Sequence, residues 1–386
     1  FTVPPLDLNT LWLPHRYAGG SQLYVGGAFR ITSDLPVIAY QFNPIDGSAS
    51  YLSDASLLLP QASLDKYYVV PAWPYGEDIS NTLRPAHLQI AATAPTQVWV
   101  TSPSPTVAGG VAAVPANVPT SFTLDEGDYL QLTIANEGGS FAGAYIESDQ
   151  PVVVFASNDC ANVPLGSANC CCDHLEEQIF GLQTWGTNYV AARAPVRLAE
   201  PSVWQIMAQQ DGTLVTFDAH TDVTGLPGPT TLNARQFIEI TVGGSATHPG
   251  DFLASADKPI LVTQYMVGAY TVEPGGANGD PSKVQAVPTG QFLPRYVVLV
   301  PSTWINNFLV LVRPVGATVT VDGAPVASAW IQVGSSAYEA TRVSVGQGVH
   351  TIVGSSPVGV VVVGYDDYDS YAYPGGLDQQ IINPVE

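Results

Sequence analysis

The sequence predicts an all-β protein built from tandem β-sandwich-like repeats of about 100 residues, with the first repeat incomplete at the N-terminus. Three observations predict it. The 386 residues include 36 Gly and 32 Pro, with only 12% charged and 46% hydrophobic residues, a balance that suits many short strands joined by punctuated loops. One turn-and-strand signal recurs at Pro36, Pro151, Pro259 and Pro357, about 100–115 residues apart. Between these prolines, short alternating apolar runs are separated by turn signals roughly every 8–12 residues.

Each repeat is read from three anchors. In the first, Ser33-Asp34-Leu35-Pro36, Ser148-Asp149-Gln150-Pro151, Ala256-Asp257-Lys258-Pro259 and Ser356-Pro357 each lead into a β-branched run. Asp or Ser before Pro starts a turn, and Pro fixes φ where a buried strand begins. In the second, Tyr68-Val69-Val70, Tyr189-Val190 and Tyr296-Val297-Val298 precede alternating strands at Leu88 to Ala91, Trp204 to Met207 and Phe308 to Val312. The third is a T-x-V-type strand, at Gln97 to Val100, Thr213 to Phe217 and Thr318 to Val321. Strands such as Tyr129 to Ile134 and Phe237 to Thr241 follow it, and then the strand after Pro closes the unit.

These anchors divide the chain into β-sandwich units at 56–160, 176–270 and 284–386, the last with an acidic, Tyr-rich tail. A Cys-rich connecting loop covers 161–175, and a Gly-rich linker covers 271–283. Residues 1–55 read as the C-terminal half of an incomplete unit, which alone would leave bare strand edges. Residues upstream of Phe1 are the favoured completion; closure by C-terminal strands and donation by a neighbouring chain are the others.

Charge and composition narrow the function. Twelve Lys and Arg face 33 Asp and Glu, and the net charge of −21 repels phosphate backbones and anionic membrane surfaces, so no nucleic-acid partner is expected. No apolar run approaches the length of a membrane-spanning helix, and no membrane insertion is expected. Four cysteines, Cys160 and Cys170-Cys171-Cys172, favour disulfides in an oxidising compartment. The absence of any N-x-Ser/Thr sequon favours a prokaryotic source.

An ordered set of strings resembles the bacterial, extracellular branch of the IgGFc-binding protein N-terminal domain family. It comprises Ser-Asp-Leu-Pro-Val-Ile-Ala-Tyr-Gln-Phe-Asn-Pro (33–44), Asp-Ala-Ser-Leu-Leu-Leu-Pro (54–60), Cys-Ala-Asn-Val-Pro (160–164), Cys-Asp-His-Leu-Glu-Glu-Gln (172–178), Thr-Trp-Gly (184–186), Gly-Asp-Pro (279–281) and Tyr-Pro-Gly-Gly-Leu-Asp (373–378). The resemblance implies a chain that continues upstream of Phe1 and an extracellular, interaction-type role. It also implies that Cys160 and Cys172 are the family's usual cysteine pair; Cys170 and Cys171 depart from its pattern. From spacing alone all three pairings stay open.

A disulfide-stapled loop is the leading reading of Cys160 to His174. A Cys160–Cys172 bridge would contribute roughly 2–3 kcal/mol by the chain-entropy model, and Cys170 and Cys171 are candidates for a second or intermolecular bridge. Zinc on Cys160, the triple cysteines and His174 is the rival, weakened because consecutive cysteines point in different directions. Asp173, His174, Glu176 and Glu177 suggest an acid/base group, against which stands a short helix capped by Asp173 with Glu176 three residues on. Asp366, Asp367, Asp369 and Asp378 are candidate Ca²⁺ ligands; apart from such a bound Ca²⁺ no cofactor is expected. Gly279-Asp280-Pro281 reads as a turn. Tyr365, Tyr368, Tyr371 and Tyr373 are a candidate binding surface.

No nucleophile elbow, HExxH, Walker loop or dinucleotide fingerprint is present, so no catalytic residue is assigned and an enzyme is not expected. The leading expectation is an extracellular or cell-surface adhesion module binding a protein, glycan or matrix partner. The alternatives are a self-assembling subunit of a surface sheath or filament, completed by strand exchange, and a secreted glycan- or peptide-active hydrolase working through two carboxylates.

Overall fold

Proline decides how each repeat is threaded in this protein, described here from a computed structural model over residues 2–14, 20–43, 53–78, 80–169 and 171–385. Three long strands, Tyr145–Ala161, Phe252–Tyr265 and Gly348–Asp366, each contain one of the recurring prolines. Before the proline, each pairs with its repeat's opening strand: Asp65–Val69, Gly186–Ala191 or Leu293–Val300. After it, the same strand pairs antiparallel with Ala86–Ala92, Ser202–Ala208 or Asn306–Pro314. Proline has no N–H to give a ladder, so it sits where the long strand changes partners.

A tyrosine locks each switch. The hydroxyls of Tyr68, Tyr189 and Tyr296 donate to the carbonyls of Val152, Ile260 and Val358 at 2.6, 2.7 and 2.6 Å, in each case the residue after the proline. Each hydroxyl also accepts the N–H three residues upstream, from Asp65, Gly186 or Leu293. The two strongest anchors of the sequence are thus bonded to each other in every repeat.

The T-x-V segments form Thr96–Thr101, Thr213–Ala219 and Val319–Val321, each paired to the early half of the long strand. Tyr129–Thr133, Phe237–Val242 and Tyr338–Val345 flank the other side. The inward residues of these strands make separate cores, one around Leu88, Ile90 and Phe141, one around Trp204 and Phe252, and one around Tyr296, Trp304 and Leu311. The all-β class is as the sequence predicts. The described helices are single turns, and none is long and apolar enough to cross a membrane.

After each long strand the chain returns through a hairpin: Asp173–Gln178, Lys283–Gln285 and Asp369–Pro374 pair with the ends of the three long strands. Near the N-terminus Ala39–Asn43 pairs antiparallel with a fourth return strand, Asp54–Leu58, which crosses the boundary expected at residue 55, and Gln22–Tyr24 adds to the first large sheet beside Tyr129–Thr133. The four return strands contact one another in a ring, Asp54–Leu58 against Asp173–Gln178, that against Lys283–Gln285, that against Asp369–Pro374, and that again against Asp54–Leu58. The segments read as connecting loop and linker therefore lead into the centre of the molecule.

Candidate functional site

Four aspartates stand at the starts of the four return strands. Asp54, Asp173 and Asp369 are first in theirs, and Asp280 lies just before Lys283–Gln285. All four are buried, although isolated carboxylates do not belong in an interior. Burial, reinforced by Asp369, Asp280 and Asp54, pushes the Asp173 carboxyl well above the ordinary range. Burial likewise lifts Asp54 and Asp280 to about 8 and Asp369 to about 7.

Their partners differ. Asp54 accepts from the Ala55 N–H (2.9 Å), the Ser282 hydroxyl (2.7 Å), and the Glu176 and Lys283 N–H groups (3.2 and 3.1 Å), which ties three return strands together. Asp173 Oδ1 accepts the His174 N–H, Asp280 Oδ1 the Ala269 N–H, and Asp369 Oδ1 the Ser53 hydroxyl. Asp280 also accepts the Cys171 N–H. The carboxyls of Asp173 and Asp369 lie within hydrogen-bonding range of each other. Ionised carboxylates only accept, so this contact requires a proton on one of them.

A second polar layer surrounds them. Glu177 accepts the Gln285 N–H at 2.7 Å, and the Lys283 ammonium donates to the Ala156 carbonyl at 3.2 Å. Burial pushes Glu177 up and Lys283 down, while their mutual attraction opposes both shifts. Burial would lower the His174 pKa, but Glu176, with Oε2 3.5 Å from Nε2, holds it above the ordinary value. The arrangement can hold protons and bind four repeats together. It has no solvent-facing carboxylate pair with which to protonate a substrate.

The structure revises several expectations. Cys160 and Cys172 are bonded, with Cα atoms 5.1 Å apart, at the mouth of the hairpin that delivers Asp173. Cys171 is also disulfide-bonded, and no described cysteine is free; Cys170 lies outside the described residues. With both sulfurs of the Cys160–Cys172 pair engaged, the zinc reading of that loop fails. Asp173, His174, Glu176 and Glu177 lie on a strand and not on a capped helix, because the segment is enclosed by the long strand on one edge and Asp54–Leu58 nearby.

The tyrosine surface is corrected. Tyr365, Tyr371 and Tyr373 are 3%, 0% and 0% exposed. Their hydroxyls donate to Pro195 O, Asn307 Oδ1 and Leu299 O, and Tyr40 and Phe42 pack on the Tyr373 and Tyr371 rings. A return strand is covered on both faces, so alternation no longer marks a wet side. Tyr368 alone is half-buried, at a positive-φ turn where its N–H meets the Ala277 carbonyl.

The four carboxylates read as calcium ligands do not gather. Asp369 turns into the centre and Asp366 is buried beside it, whereas Asp367 and Asp378 face solvent. Gly279-Asp280-Pro281 is no surface turn. Gly279 has φ +67°, and a Cβ there would meet Arg197, Ser370 and Tyr365 at 2.7–2.8 Å. The strand edge at 366–370 fixes it: the Gly279 N–H donates to the Asp366 carbonyl and the Asp280 N–H to the Ser370 hydroxyl.

One group escaped the sequence reading. His220, Asp222 and His248 bring three metal-ligating atoms within 4.8 Å of one another at the surface of the middle repeat. They lie in two separate loops, and no local motif announces them.

The family described as IgGFc binding protein matches residues 54–364. Among curated proteins, the chain is similar to the human (Homo sapiens) IgGFc-binding protein, with 25% identity over 274 residues, 67% of this chain and 5% of that protein. The chain thus spans about 5% of the length of the curated relative it matches. No solved structure matches it.

Proposed function

The chain belongs to the IgGFc binding protein family, and from that premise we propose that it is an extracellular protein-binding module of the cell surface or its surroundings. The observation that carries this reading is the apolar surface of its N-terminal arm. Leu6, Leu11, Trp12, Leu13, Val25 and Leu35 all face solvent, with Trp12 76% exposed. Leu23, Val111, Phe122 and Leu130 line a shallow hollow of about 320 Å³ that contains no titratable group. Exposed Trp and Leu side chains supply contact area for a partner without a chemical role.

Other features support the reading. The disulfides suit an oxidising compartment. The carboxylates that do meet are sealed at the centre, which weakens the hydrolase alternative. The name of the human relative makes the Fc part of immunoglobulin G the first partner to test. A second copy of this chain is the alternative partner, because the first large sheet ends on the short strand Gln22–Tyr24. Immobilised chain presented with purified Fc, with itself and with glycans is expected to bind a protein saturably; turnover of a glycan or peptide without binding would contradict the proposal.

A further inference from the structure

We propose that His220, Asp222 and His248 form a surface site for a divalent transition-metal ion of the Zn²⁺ class, with a coordination position left open to solvent. The ligands come from two turns that the backbone holds side by side. His220 and Asp222 follow the strand Thr213–Ala219, in a turn closed by the Val223 N–H on the His220 carbonyl at 2.9 Å. His248 follows Phe237–Val242, in a turn closed by the Ser245 N–H on the His248 carbonyl at 2.9 Å.

Thr224 and Gly243 exchange two backbone hydrogen bonds of 3.1 Å each and lock the turns together. Glycine is needed at both ends of this lock. A Cβ at Gly225 would collide with the Thr241 carbonyl, and one at Gly244 with that of His248. The backbone that carries the three ligands is therefore set before any ion arrives.

Its three ligating atoms already lie within 4.8 Å of one another. The two imidazoles stack with centroids 3.4 Å apart and planes 4° from parallel, so one ring must turn about its Cβ–Cγ bond to bring both nitrogen lone pairs onto a single ion. Asp222 reaches both, Oδ1 to His220 Nδ1 at 3.5 Å and Oδ2 to His248 Nδ1 at 3.5 Å. These distances are at the far limit of a hydrogen bond. Each equals the spacing of two ligand atoms about 2.0–2.1 Å from a zinc ion, roughly 3.3–3.5 Å, and the two run to different oxygens of Asp222.

The Asp222 N–H donates to His220 Nδ1 at 3.2 Å, a hydrogen bond that an ion bound at this nitrogen would replace. Ser245 donates its hydroxyl to Asp222 Oδ2 at 2.7 Å, the kind of outer hydrogen bond that orients a ligating carboxylate. Two imidazoles with one carboxylate suit Zn²⁺, Ni²⁺ or Cu²⁺, whereas Ca²⁺ and Mg²⁺ prefer all-oxygen sites. Side-chain exposures of 26–41% admit an ion and leave room for water or an outside ligand, and the net charge of −21 draws cations to the surface.

Isothermal titration of Zn²⁺ into the chelator-treated, untagged chain at pH 7.5 tests this. The expected result is one ion per chain, with binding weakened at least about tenfold in His220→Ala and in His248→Ala. Ca²⁺ should not compete. All three ligands lie in exposed turns, and an unchanged far-ultraviolet spectrum with an unchanged melting temperature in the apo form establishes that the variants fold. Absence of a one-to-one isotherm, or affinity unchanged in His220→Ala and His248→Ala, overturns the proposal.

Discussion

The Tyr189 hydroxyl donates to the Ile260 carbonyl at 2.7 Å and accepts the Gly186 N–H at 3.2 Å, which pins the opening strand to the long strand where it changes partners. Tyr68 and Tyr296 do the same in the other repeats. Replacing any of them with Phe takes this partner from a buried carbonyl and from an N–H that is buried at Asp65 and Gly186 and half-buried at Leu293, at about 1–3 kcal/mol for each buried group. Urea unfolding of Y68F, Y189F and Y296F is expected to show three similar losses of about 2 kcal/mol or more. A loss below about 0.5 kcal/mol in any one would remove that tyrosine from the scheme.

The buried aspartates set a pH dependence. Their folded pKa values, about 8 for Asp54 and Asp280 and about 7 for Asp369, lie above the unfolded value near 3.9. The folded chain therefore holds more protons than the unfolded chain across roughly pH 4 to 8. Their contribution is complete below about pH 4 and is lost as pH rises through 7–8. Each group adds a slope of up to about 1.4 kcal/mol per pH unit. Denaturant unfolding should give higher stability at pH 5.5 than at pH 8, a difference reduced in D369N. Stability that is flat or that rises over this range would refute the assignment.

Gly279 is the backbone position on which Asp280 depends. Its positive φ and the three atoms within 2.8 Å of an added methyl group mean that Gly279→Ala strains the chain and displaces Arg197, Ser370 or Tyr365. A destabilisation of about 2 kcal/mol or more is expected. Gly228→Ala, where a Cβ meets nothing within 4 Å, should stay within about 0.5 kcal/mol. Equal effects of the two substitutions would show that the close approach at Gly279 does not matter.

The repeat was legible because its signals are local: proline, the preceding turn residues and the Tyr-Val run lie next to the strands they organise. The centre was not legible. Asp54, Asp173, Asp280 and Asp369 sit in four dissimilar strings, and only ring closure of the return strands brings them together. Tyr371 and Tyr373 looked like surface residues because they alternate with small and acidic neighbours. The Asp369–Pro374 strand is in fact covered on both faces, and what pointed there was the absence of any charge after Asp369. His220 and His248 lie on turns from different hairpins, and their meeting depends on the lock between Thr224 and Gly243.

Partner binding through the N-terminal arm is the central claim, and surface plasmon resonance of the whole chain and its Leu11→Ser/Trp12→Ser/Leu13→Ser variant tests it most directly. All three side chains face solvent, so the variant should fold with unchanged stability. With purified Fc and with a second copy of the chain as probes, the account predicts saturable binding to one of them that the variant weakens at least about tenfold, the scale on which interface anchors act. Binding of equal affinity by both chains, or binding of neither probe by the unaltered chain, would contradict it.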